Sequence, residues 1–429
     1  MKKRLVSAGV AACTVIMLCA CSPEEEEDIF TGDVAERLPY QDNLDLISPA
    51  AYSEIDGLDL EPGTYISVIG KEENSPYWQQ VKAGVEQAAD DLNEILGYSG
   101  NDSLKITFNA PSDGEDIDEQ VNILDEEMAR YPDVIAIASI DEEASAVQFD
   151  LATENGIPIV AFDSGNAYQG IQSTCRTDNT KAAAEGASKL CEAIGDSGEI
   201  ALIVHDAVSE NGKERENGLK EEIENSHPGV TVAETIYMDD LDGLKREAAA
   251  QQLGFNLEEI MAAAEAQESG QENTPAEGQE TSSGETAEEQ TAEEEQQSEE
   301  LEQVNSLAES MSDADAVAYA LEKHPDLKGC FGTNDDSTQL AVEALSQAER
   351  IDSVTVMGFD AGSAQLSSLE SGDVDGLIVQ NPFGMGYAAV IAGARTVLEI
   401  GNEAEVDTGY IWVDQENMED ESIQAFLYE

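Results

Sequence analysis

Six stretches of the chain end in side chains that hydrogen-bond well. One of them, GCFGTNDDSTQLA at 329–341, runs from apolar Cys330 and Phe331 into Asn334, Asp335 and Asp336, and a helical pattern follows at once. The other five behave alike. Run 65–69 leads to Asn74-Ser75-Pro76-Tyr77-Trp78, 157–162 to Asp163-Ser164, and 200–204 to the 209–215 segment that holds Arg215. Run 354–359 leads to Asp360-Ala361-Gly362, and 376–379 to Gln380-Asn381-Pro382. Each group alone reads as a helix cap or a turn residue. Together they offer the chemistry for a polyhydroxylated ligand. Asp accepts from paired hydroxyls, Asn and Gln both donate and accept, and Arg donates several N–H groups. Tyr77 and Trp78 can lay apolar ring faces against C–H bonds.

The elements that must position these groups are legible around them. Run 65–69 (YISVI) predicts a buried strand, and Ser75-Pro76 supplies a cap and a proline suited to the first helical position. Trp78, Val81, Val85, Ala88, Leu92 and Leu96 then recur at spacings of three and four, one apolar helix face. Runs 106–108, 134–138, 157–162, 200–204, 230–236, 329–331, 354–358 and 376–379 also predict strands, with helical patterns between them. Such alternation implies an α/β chain with doubly wound parallel sheets, and there is enough of it for two domains. In open parallel sheets ligands bind beyond the carboxyl ends of the strands. Six polar endings there predict a lined cleft.

Composition narrows the function. Among 429 residues, 92 acids stand against 20 bases, a formal charge of −72, which excludes nucleic acid as a partner. Three His give little material for a metal site, and no cofactor is expected. Residues 1–20 carry Lys2-Lys3-Arg4 and then a short apolar run, the form of an export signal. The run closes on Leu18-Cys19-Ala20-Cys21, which resembles a bacterial lipobox and implies cleavage before Cys21 and lipidation of that thiol. Residues 21–64 are expected to be an acidic tether. Of the remaining cysteines, Cys175, Cys191 and Cys330 read as small buried residues, and a Cys175–Cys191 disulfide stays open. No Lys or Arg occurs between Arg246 and Lys323, and residues 252–305 are expected to be an acidic, mostly disordered insertion.

The ordered motifs resemble the ribose-binding-protein-like, type 1 periplasmic substrate-binding proteins of sugar ABC transporters. They are NSPYWQQVKAG (74–84), GIPIVAFDS (156–164), TDNTKAAAEGA (177–187), ERENGL (214–219), GCFGTNDDS (329–337), VMGFDAG (356–362) and VDGLIVQNPFGMGY (374–387). The resemblance implies two lobes, 65–177 plus 382–406 and 178–381 plus 407–429, joined by a three-segment hinge. It implies a ligand set of Asn74, Ser75, Tyr77, Trp78, Asp163, Arg215, Asn334, Asp360 and Gln380. Asn334 is expected to read the ligand while Asp335 or Asp336 caps the next helix. Structural roles stand beside these: Trp78 as core, Asp360 as a turn residue, Arg215 as a solvated helix residue, Gln380 as a loop anchor. Leu241 stands where some family members carry a further aromatic, so stacking from the second lobe is not expected.

The implied function is a monomeric sugar- or polyol-binding lipoprotein, anchored on the outer face of the bacterial cytoplasmic membrane or in the periplasm, that serves an ABC permease. The alternatives are a sugar sensor for a membrane kinase and, in another class, a glycoside hydrolase that pairs Asp163 with Asp360. If Cys21 carries lipid, Cys21→Ser releases the protein from the membrane fraction or blocks its processing. Fractionation and the mass of the mature chain check this, and normal cleavage with full membrane retention would rule it out.

Overall fold

Among the described residues, twelve strands form two sheets of six. The first sheet holds β1 (Tyr65–Ile69), β2 (Lys105–Asn109), β3 (Val134–Ile137), β4 (Ile159–Phe162), β5 (Ile171–Arg176) and β11 (Glu405–Asp407), in the order β11-β5-β4-β3-β1-β2. The second holds β6 (Gly198–Val204), β7 (Val230–Tyr237), β8 (Leu327–Gly332), β9 (Thr355–Phe359), β10 (Gly376–Gln380) and β12 (Tyr410–Val413), in the order β12-β10-β9-β8-β6-β7. Pairing is parallel throughout, apart from β10 with β12. Strands β1, β3, β4 and β10 are buried along their whole length, as strands covered by helices on both faces must be. This computed structural model describes residues 37–112, 114, 116–141, 143–270 and 284–428. Residues 40–429 form one compact unit. Cys21 and the signal lie outside the described residues. Among the described residues no helix is long and apolar enough to cross a membrane.

The chain changes sheet three times. It leaves the first sheet after Arg176, and returns after Gln380 through the helix Pro382–Val397, which packs on β1, β3, β4 and β5. It leaves again between Asp407 and Tyr410. The Pro382–Val397 helix also packs tightly on the helix Pro76–Leu96. A Cβ on Gly84 would fall 1.9 Å from the Phe383 carbonyl oxygen, and one on Gly386 would fall 2.0 Å from that of Val81. Two glycines thus let the helices touch backbone to backbone, which fixes the start of Pro76–Leu96, where Tyr77 and Trp78 project.

Two expectations need correction. Residues 40–64 are part of the fold, not a tether: Leu44, Ile47, Tyr52, Leu58 and Leu60 are buried in the main core, and Asn43 donates to Asn381 Oδ1 at 3.1 Å. Five apolar side chains in a segment of high acid content outweigh its charge. The 252–305 stretch is largely helical where it is described, with helices Leu257–Gly270 and Gly284–Ser310. Ala, Glu and Gln are strong helix formers, and Val304 and Ala308 seal a small cluster with Ala249 and Ala250. Residues 271–283 lie outside the described residues. The reading of the cysteines as small buried residues holds: Cys175, Cys191 and Cys330 are all free and buried, with Cys175 in the first sheet and Cys191 on the helix Asn179–Ala193, and no disulfide joins them.

The apolar residues of that small cluster, Ala249, Ala250, Phe255, Leu257, Val304, Ala308, Leu307 and Met311, all fall outside 262–298. Deleting 262–298 therefore leaves one cooperative unfolding transition, with a melting temperature within a few degrees of the intact chain. Calorimetry checks this; a broadened or split transition would show that the segment carries core.

Candidate functional site

A cleft of about 910 Å³ opens at the carboxyl ends of the strands, and residues after both sheets line it. The first sheet delivers Lys71 beyond β1, Ser75, Tyr77 and Trp78 at the head of Pro76–Leu96, and Asp163 beyond β4. The second delivers His205 and Asp206 beyond β6, Arg215 from the helix Glu210–Ser226, Asn334 to Asp336 beyond β8, and Asp360 beyond β9. Gln380, at a crossing between the sheets, completes the floor.

Two acids occupy equivalent places. β4 and β9 each stand third in their sheets, and the residue after each is an Asp with positive φ, 57° at Asp163 and 73° at Asp360. Asp tolerates this left-handed region better than most residues, and such local strain concentrates at binding and catalytic sites. Their surroundings differ. Asp163 accepts from the Tyr77 hydroxyl at 2.8 Å and pairs with Lys71 Nζ at 3.0 Å. Burial alone would raise its carboxyl, but Lys71 and the bonds from Lys71 and Tyr77 prevail and hold it below the ordinary value. Asp360 is also buried, yet its Oδ1 has no hydrogen-bond partner. Burial, which outweighs the pull of nearby Arg215, pushes it up to about 7.

Arg215 is no solvated helix residue: it is 2% exposed. Its Nε donates to Asn179 Oδ1 at 2.8 Å, Nη1 to the Thr333 carbonyl at 2.6 Å and Nη2 to Gln380 Oε1 at 2.7 Å. Its guanidinium lies 4.3 Å over the Phe359 ring. Gln380 in turn donates to Thr177 Oγ1 at 3.0 Å, so both ends of its amide are engaged. Trp78 is core and cleft at once, edge-on to Tyr77 and Phe162.

Eight of the nine expected ligand residues therefore line one cleft; Asn74 does not, and is exposed. Ser75 takes the cap that could have drawn Asn74 inward, accepting from the Trp78 N–H. The assignment of the next cap is reversed. Asn334 is the N-cap of Asp335–Gln347, its side chain accepting from the Ser337 N–H at 2.8 Å, while Asp335 and Asp336 face the cleft. Burial, with Asp336 beside it, lifts Asp335 to about 6. Sequence reasoning missed His205 and Asp206, although they directly follow a strand end. Burial, then Arg215, drives His205 down to about 3, so it is neutral. Met238, not an aromatic, lines the wall near Leu241. Among the described residues no group of His, Cys, Asp and Glu could hold a metal ion.

The comparisons fit this architecture. A family model described as the periplasmic binding protein domain matches residues 66–270 and 277–397. The chain belongs to that family. The D-allose-binding periplasmic protein of Escherichia coli is 27% identical over 163 residues, 36% of this chain. The match spans about half (49%) of that relative's length. A carbohydrate transporter solute-binding protein from Agrobacterium radiobacter, solved with D-arabinose, has a TM-score of 0.61 at 23% identity, covering 85% of this chain and 99% of its own. An ABC transporter solute-binding protein from Agrobacterium vitis, bound with alpha-D-tagatopyranose, matches with the same TM-score, identity and coverage. At such identities these structures establish the fold.

The ionisation of Asp360 has a stability consequence. Its folded-state value of about 7 lies above the ordinary 3.8. Between those limits the folded chain holds a proton that the unfolded chain has lost, so stability falls as pH rises from about 4 to 7 and then levels off. Asp360→Asn therefore raises the melting temperature of the ligand-free protein at pH 8 and changes it little at pH 4. Arg215→Ala lowers it at both, through a loss of stability on the order of 3–5 kcal/mol, because three buried acceptors lose their donors. Thermal scans at the two pH values check both signs.

Proposed function

We propose that this chain is a sugar- or polyol-binding protein that closes its two lobes on the ligand and delivers it to an ABC permease. In this reading Cys21 holds it to the membrane by lipid. The observation that carries the reading is the pair Asp163 and Asp360. Both are buried acids at equivalent strand ends, they face one cleft, and Arg215, Tyr77 and Trp78 line it with them. A hydroxylated ring uses all three kinds of group. Acids accept from its hydroxyls, Arg215 donates through N–H positions beyond those bound to protein, and aromatic rings cover its C–H faces. The names of the matched proteins, D-allose-binding, D-arabinose-bound and tagatopyranose-bound, support the ligand class. They are proteins of binding and transport, and no catalysis is assigned here.

A thermal-shift screen over D-allose, D-arabinose, D-tagatose, D-fucose, D-ribose and myo-inositol tests the reading. A ligand bound by the folded state alone raises the melting temperature, and at least one of these does so. For that ligand, Asp163→Ala and Asp360→Ala each raise the calorimetric Kd roughly ten- to a hundredfold, the cost of leaving a desolvated hydroxyl without its buried carboxyl partner. A panel without a binder, or variants that bind like wild type, would overturn it.

A further inference from the structure

The last described segment reaches the site from behind. After the short helix Glu421–Gln424, Phe426 and Tyr428 are buried. Tyr428 does not line the cleft, but it is clamped to the residue after Asp360. Its N–H donates to the Ala361 carbonyl at 3.4 Å, and its hydroxyl accepts from the Ala361 N–H at 3.2 Å. The same hydroxyl is thereby held at the peptide unit that follows Asp360. Its ring meets Tyr77 edge-on, with centroids 6.0 Å apart and planes at 79°. Tyr77 donates to Asp163. One line of contacts thus runs from the acid of one sheet to the neighbour of the acid of the other: Asp163, Tyr77, Tyr428, and Ala361 next to Asp360.

We propose that Tyr428 is a positioning residue for ligand capture. Its hydroxyl donates to the Asp360 carboxyl and turns Oδ1 toward the cleft, while its ring ties that carboxyl to Tyr77 on the opposite lobe. The capture step rests on the sugar-binding reading; the control of Asp360 does not. A phenol hydroxyl has one proton, and accepting from Ala361 leaves that proton for Asp360. The charged and titratable groups facing Asp360 come from every side. They are Arg215 from Glu210–Ser226, Asp335 from the head of Asp335–Gln347, Asp163 from beyond β4, and Tyr77 and Tyr428. Of these, Arg215 favours the carboxylate and the two acids oppose it; the bond proposed from Tyr428 adds to the side of Arg215. Removing the donated bond shifts the balance toward the protonated form.

The test compares Tyr428→Phe with wild type as full chains. The ring and its packing on Tyr77 are kept, and only the hydroxyl is lost. With 13C-labelled aspartate, the Asp360 carboxyl resonance is identified by its loss in Asp360→Asn and titrated in the ligand-free protein. Tyr428→Phe moves its midpoint upward, by roughly half a pH unit or more. Affinity is then measured by calorimetry for the best binder among D-allose, D-arabinose and D-tagatose. It falls roughly three- to tenfold at pH 7, and the deficit narrows as pH rises toward 9. In the Asp360→Asn background the same substitution has little further effect on binding. An unchanged midpoint overturns the proposal, even if the melting temperature drops, because the residue would then be packing only. A shifted midpoint with unchanged affinity and pH profile overturns it too. If no sugar binds wild type, the sugar reading fails, and the titration still decides whether Tyr428 governs Asp360.

Discussion

One buried cation holds the arrangement together. Arg215 is removed from water, and a guanidinium there is tolerated only if its donors are satisfied and its charge is answered. Its fork reaches Asn179, the Thr333 backbone and Gln380, and Gln380 passes the connection to Thr177. Thr177 and Gln380 mark two of the places where the chain passes between sheets. The charge that faces the cleft is therefore bonded to segments that join the two sheets. If the lobes close on a ligand as proposed, binding and hinge motion share atoms, a direct physical route for a ligand to bias closure.

The two acids divide the electrostatic work. Asp163 is answered locally by Lys71 and Tyr77 and stays ionised without a ligand. Asp360 keeps a buried oxygen unanswered and holds its proton near neutrality. Left-handed backbone at both adds strain. A fold optimised for stability alone would fill these places otherwise, so the cost marks positions kept for what enters the cleft. A further pair of acids beyond β8 deepens the negative field, and the neutral state of His205 adds nothing to offset it.

Much of this was legible because strand ends announce themselves. Apolar runs such as YISVI and IVAF have no reading but buried strand, and the residues after them fall at the cleft by topology. β5 and β11 were not legible: IQSTCR and EVD contain no apolar run, and they become strands only by adding to an existing sheet edge. Neither was the division of labour within Asn334-Asp335-Asp336, since all three types cap helices and only the three-dimensional path selects one. Tyr428 carried no signal at all. Its partner Ala361 lies 67 positions earlier, and no local pattern spans that distance.

The 252–305 stretch leaves the helix Leu241–Leu253 and leads on to the helix Asp313–Glu322, which packs beside it. Lys245 and Asp313 pair across the two at 2.7 Å, and Asp313 itself lines the cleft. One of these two paired helices thus begins at the cleft. If the lobes close as proposed, a fluorescent domain spliced in place of 262–298 would hang from segments that lead into that helix pair, and could turn closure into an optical signal.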